Sequence, residues 1–79
     1  MDIKLYQQYL KEYIQDAIRE SDGSVRGTAE RLHEKQVKGL IISHRGEKQR
    51  ALSDARTAFD DHRHWPMEII LSHLGVTLD

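Results

Sequence analysis

Apolar side chains in this chain recur at intervals of three and four, and hardly anywhere at intervals of two. Ile3, Tyr6, Leu10, Tyr13 or Ile14, Ala17 and Ile18 follow the helical period from the start. The other face of that segment carries Lys4, Gln7, Gln8, Lys11, Glu12, Gln15 and Arg19. A first helix is predicted, ended at Asp22-Gly23 because Gly adopts the left-handed position after a helix without a Cβ penalty. Ser24 then caps a second helix from about Val25 to His33, which buries Val25, Ala29 and Leu32.

Two readings stay open for Glu34 to His44. Val37, Leu40, Ile41 and His44 fit a helix, while Leu40-Ile41-Ile42 alone fits a buried strand. Helix is favoured, since a lone strand needs a partner and no other stretch alternates; a strand paired across a dimer axis is the alternative. Arg45-Gly46 reads as a stop. Leu52, Ala55 and Phe59, with Ala51 and Ala58 alongside, predict a helix from Glu47 to about Asp61. His62 to Pro66 breaks it, because the residue before a proline is pushed out of the helical region. Pro66 suits the first position of a last helix, with Met67, Ile70, Leu71 and Leu74 inward and Gly75 closing it. The expected fold is all-α, one domain over residues 1–79: a small bundle of four or five short helices containing a helix-turn-helix near residues 24 to 45.

A chain of 79 residues has room for one core. Cores of this size rarely supply more than about 3 to 5 kcal/mol, and unstapled small proteins often compensate by self-association. A homodimer is therefore expected, with the Tyr-bearing face of the first helix serving packing or the dimer seam. The chain has no Cys, which removes disulfides, thiolate metal sites and cysteine nucleophiles and fits a reducing compartment. No apolar run exceeds the three residues of Leu40-Ile41-Ile42, far below the roughly 20 that span a membrane. Met1-Asp2-Ile3-Lys4 shows no secretory signal, so a soluble, cytoplasmic protein is expected.

The net charge of −1 hides an uneven distribution. Residues 19 to 50 carry eight basic and five acidic side chains, whereas residues 51 to 79 carry two and five. A mildly basic middle segment can neutralise a few phosphates, although charge patterns of this size usually mean only a solvated helix surface.

The stretch Ala17-Ile18-Arg19-Glu20-Ser21-Asp22-Gly23-Ser24-Val25-Arg26-Gly27-Thr28-Ala29-Glu30-Arg31-Leu32 resembles the start of the Fis-type helix-turn-helix. In that family a helix ends in Gly and a polar residue, and the next helix turns a small Ala and then a Leu inward; Gly23, Ser24, Ala29 and Leu32 match. The resemblance covers about a third of the chain, residues 10 to 32. Beyond it the chain has Leu32-His33-Glu34 where the family usually has Leu-Gly and an apolar residue. The resemblance implies a dimeric DNA-binding transcriptional regulator whose third helix enters the major groove. The candidate contacts are then Arg26, Arg31, Lys35, Gln36, Lys38 and Arg45, with Gln36 able to pair with adenine and Arg26 and Lys35 holding phosphates.

The competing expectation is a protein-interaction module, an adaptor or inhibitor, that uses Phe59, Arg63, Trp65 and Met67 or the acidic C-terminal half. Trp65 is also well placed simply to staple the last helix. Five histidines raise the question of metal, but without HExxH or an i, i+4 His pair no site is seeded. Ser43-His44 and Ser72-His73 are sequence neighbours, not a nucleophile and base set across a cleft. No enzyme activity, cofactor or metal is expected.

Overall fold

The first helix begins where the Asp2 carboxylate accepts the Leu5 amide at 3.2 Å. The computed structural model of the chain describes residues 2–42 and 46–78, with 39–42 as backbone only. Within them lie four helices and no strand: α1 (Ile3–Glu20), α2 (Val25–Ile42), α3 (Glu47–Asp61) and α4 (Met67–Leu74). The all-α bundle expected from the periodicity is the observed fold.

A tight corner joins α1 to α2. The Ser21 amide and hydroxyl both donate to the Ile18 carbonyl, and Gly23 takes φ +83°. Asp22 Oδ1 accepts from the Ser24 amide (3.0 Å) and hydroxyl (2.6 Å), while Ser24 Oγ accepts the Gly27 amide at 2.9 Å. Ser24 is thus the predicted N-cap. Gly27 suits the same contacts, because a Cβ there would sit 2.7 Å from Asp22 Oδ1 and displace that carboxylate from Ser24.

The predicted break at His33-Glu34 is absent. The segments Val25 to His33 and Glu34 to His44 merge into one helix that continues to Ile42, so Leu40-Ile41-Ile42 is helical backbone and not a strand. Nothing between Glu30 and Lys38 stops a helix: no Gly or Pro occurs there, and Glu, Arg, Leu, Lys and Gln are strong helix formers. The turn and separate recognition helix expected near residues 33 to 45 therefore do not form within the described part. Ser43, His44 and Arg45 lie outside the described residues.

The bounds of α3 agree with the periodicity. Pro66, with φ −61° and ψ 150°, precedes α4 as its N-cap and is not its first helical residue. Gly75, at φ 71°, ends α4, and the Val76 amide donates to the Leu71 carbonyl at 2.9 Å.

The core is narrow and alanine-rich. Leu10, Ile14 and Ala17 of α1, Ala29 and Leu32 of α2, and Ala51, Leu52, Ala55, Ala58 and Phe59 of α3 are buried together with Ile70 of α4. The helix α3 packs against all three others. The Tyr-bearing face of α1 serves packing inside the chain: Tyr6 donates its hydroxyl to Asp54 Oδ2 at 2.6 Å, and the Lys48 ammonium lies 5.3 Å from the Tyr9 ring centre. Burial first, then the Asp54 carboxylate, pushes Tyr6 up to about 12.

Two substitutions test this description. Proline inside a helix removes a hydrogen bond and clashes with the carbonyl four residues back, at a cost of about 3 kcal/mol. Exposed His33 sits mid-helix in α2, so His33→Pro is expected to unfold the protein at room temperature by circular dichroism, whereas a turn there would tolerate it. Thr28 is fully buried and its Oγ1 has no hydrogen-bond partner. Because an unsatisfied buried hydroxyl costs at least about 1 kcal/mol, the isosteric Thr28→Val is expected to raise the melting temperature by at least roughly 4 to 8 °C.

Candidate nucleic-acid interface

At 100° per residue, positions i, i+4 and i+7 fall on one edge of a helix. Continuity of α2 therefore puts Arg31, Lys35 and Lys38 on a common edge, flanking the buried stripe of Thr28, Ala29 and Leu32. With a turn after Leu32 they would not share it. A rise of 1.5 Å per residue spreads the three cations over about 10.5 Å.

The corner between α1 and α2 supplies a fourth member. Glu20 is the last residue of α1, and its Oε1 accepts from Lys35 Nζ at 2.7 Å. The Lys35 side chain keeps only 21% of its exposure, against 49% for Glu20, so the lysine stem lies along the protein and its tip meets the carboxylate. The hydrogen bond from Lys35 is the main cause holding the Glu20 carboxyl below its ordinary value; partial burial opposes it, and the charges of Lys35, Arg31 and Lys38 add to it. One carboxylate is thus within electrostatic reach of all three cations. Arg31 Nη1 also pairs with Glu34 Oε2 at 3.0 Å along the same helix.

The remaining expected contacts divide. Arg26 is exposed, but lies five residues before Arg31 and so about 140° round the helix from it. The shallow groove between these arginines is also lined by Asp22, Glu30 and Glu34, which makes it a poor phosphate cradle. Gln36 is half-buried and shares the core side of α2 with Leu32, four residues earlier, so it is not presented to read a base as the sequence suggested. Arg45 lies outside the described residues. Of the other basic residues in the middle segment, Arg19 pairs with Asp16, Arg50 lies 4.0 Å from Asp54, and Lys48 caps the Tyr9 ring.

The alternative partner patch is also rearranged. Phe59 is fully buried in the core and is not available to a partner. Arg63 is exposed but pairs with Asp60 at 3.1 Å, which also meets Arg56 Nε at 3.2 Å. Trp65 is half-buried: His62 stacks on it with ring centres 3.7 Å apart, and His73 meets it edge-on at 5.7 Å. Met67 is half-buried against the core. No three metal-ligating side chains converge among the described residues. Nor, among these residues, is any helix long and apolar enough to cross a membrane.

Glu20 was not singled out from the sequence. It precedes its lysine by fifteen residues, in another helix, and only the corner at Gly23 brings the two together. Compared with protein-family models, with curated proteins and with solved structures, the chain matches none.

Glu20 ionises more readily folded than unfolded, so its pairing stabilises the fold above the ordinary carboxyl value of 4.5 and is lost as pH falls through the lower folded value. The melting temperature of Glu20→Gln is expected to fall a few degrees below wild type at pH 7, and this gap is expected to close below about pH 4. Thermal melts across that range check it; a gap that widens toward acid contradicts the pairing.

Proposed function

We propose that this protein is a small DNA-binding regulator that grips the phosphate backbone along the edge of α2 bearing Arg31, Lys35 and Lys38. The observation that carries this reading is the alignment of three cations over about 10.5 Å of one helix edge. An edge of that length can meet two to three phosphates of one DNA strand. The charge distribution supports the same orientation, because the acidic last third of the chain is repelled by the duplex while the basic middle is drawn to it. Phosphate contacts of this kind position a protein without reading bases, and half-buried Gln36 adds no readout. Sequence preference then comes from DNA shape or from a second copy on the same duplex.

Neutralising two to three phosphates gives a slope of log affinity against log salt of about −2 to −3. Binding of a fluorescent mixed-sequence duplex is therefore expected to weaken roughly 15- to 60-fold between 50 and 200 mM salt. The doubly reversed Lys35→Glu/Lys38→Glu variant is expected to lose binding at both salt concentrations while circular dichroism shows it still helical. A two-fold dimer presents two such edges and about doubles the slope, so sedimentation of the protein with and without duplex belongs beside the titration. Unchanged affinity of the doubly reversed variant rules the edge out.

A second reading, as a protein-interaction module, is favoured by Ile69. This side chain is 49% exposed on α4, one turn before His73 and its contact with Trp65. Under that reading Lys35 and Lys38 are dispensable and Ile69→Asp abolishes partner capture.

A further inference from the structure

We propose that Glu20 is an internal counterion of the phosphate-binding edge, occupying Lys35 in the unliganded protein and yielding it when a phosphate arrives. This inference rests on the DNA-binding reading above and deepens it.

Two of the three cations on the edge already hold a carboxylate, and the two pairs differ in kind. Arg31 and Glu34 are three residues apart on one helix, with side chains 44% and 53% exposed. Such a pair is local, breaks and reforms readily, and contributes little. Glu20 belongs to a different helix; its carboxylate holds Lys35 directly, and the charges of Arg31 and Lys38 also favour its ionised form. A phosphate oxygen bound to Lys35 would need the place that Glu20 Oε1 now holds, 2.7 Å from Nζ. Glu20 also stands at the C-terminal end of α1, where the helix dipole is negative and an acidic residue is disfavoured by its own helix. Its position is therefore explained by the cations across the corner and not by α1.

The exchange conserves charge. Lysine leaves one oxygen anion for another, and Glu20, half-exposed already, turns to water. Because Lys35 holds a phosphate in the complex with or without Glu20, the carboxylate lowers affinity through the cost of displacing it and leaves the number of phosphates contacted unchanged. Binding is held weak and reversible, and a partner or condition that draws Glu20 away would tighten it.

The test is fluorescence anisotropy with a labelled mixed-sequence duplex of about 20 base pairs, a length that more than spans the edge. Wild type, Glu20→Gln, Glu20→Ala, Glu34→Gln and Lys38→Glu are titrated at several salt concentrations. Glu20→Gln and Glu20→Ala are expected to bind about three- to tenfold tighter at low salt, while Glu34→Gln changes affinity less than twofold. Both Glu20 replacements are compatible with a helix end, so a folding defect in one leaves the other to decide. If neither binds more tightly than wild type while Lys38→Glu still weakens binding, Glu20 only ties α1 to α2. The counterion role is then overturned and the DNA reading stands. If no variant binds DNA at the lowest salt, the DNA reading itself fails and the counterion role with it.

Discussion

The close approach of three helices over alanine governs this molecule. Ala17, Ala29, Ala51 and Ala55 have no exposed surface, and among the described residues six large apolar side chains are fully enclosed around them: Phe59, Leu10, Ile14, Leu32, Leu52 and Ile70. Small residues at the contacts let backbones come near, so a few large side chains suffice to fill the space between. The same closeness fixes the sharp corner between α1 and α2, where Gly27 makes room for the Asp22 carboxylate at the start of α2. Since the corner sets where α2 leaves α1, it also sets which residues of α2 face Glu20. Packing, corner and charged edge are one chain of cause.

That chain explains the conduct of the charged residues. With 32% charged residues and a net charge of −1, the protein pairs many of its cations: Arg19 with Asp16, Arg31 with Glu34, Lys35 with Glu20, and Arg56 and Arg63 with Asp60. Most of these pairs are exposed and local, and contribute little to stability individually. Lys35 and Glu20 stand apart because they join two helices. At the C-terminal end of α3, His62 stacked on Trp65 closes the turn into α4 in a similar way, by ring contact instead of charge.

Much of the fold was legible from spacing. The first helix, its stop at Gly23, the Ser24 cap, the bounds of α3 and the closing Gly75 follow from periodicity and from the backbone preferences of Gly, Ser and Pro. The reading failed at Leu32-His33-Glu34, where a resemblance over residues 10 to 32 was extended into a turn that the residues themselves do not encode. Glu, Lys and Gln there favour a helix, and local propensity prevailed. Phe59 was weighed both as core and as a partner contact, and burial decides for the core. The proposed interface was legible only in part: three of the six candidate contacts share an edge, and that sharing depends on helix continuity. Glu20 had no sequence signature at all, because contacts fifteen residues apart across a corner leave no periodic trace.

Under the proposed function, a continuous α2 offers Arg31, Lys35 and Lys38 to one strand of DNA, with Glu20 paired to Lys35. The most direct measurement is an amide chemical-shift map of the isotope-labelled protein as a mixed-sequence duplex is added at low salt. The account predicts uninterrupted helical shifts through residues 30 to 38 before addition, then perturbations concentrated at Glu20, Arg31, Lys35 and Lys38 with little change around Trp65 and Ile69. Perturbations centred on Trp65 and Ile69, a break in helical shifts at His33-Glu34, or no change at any residue would contradict it.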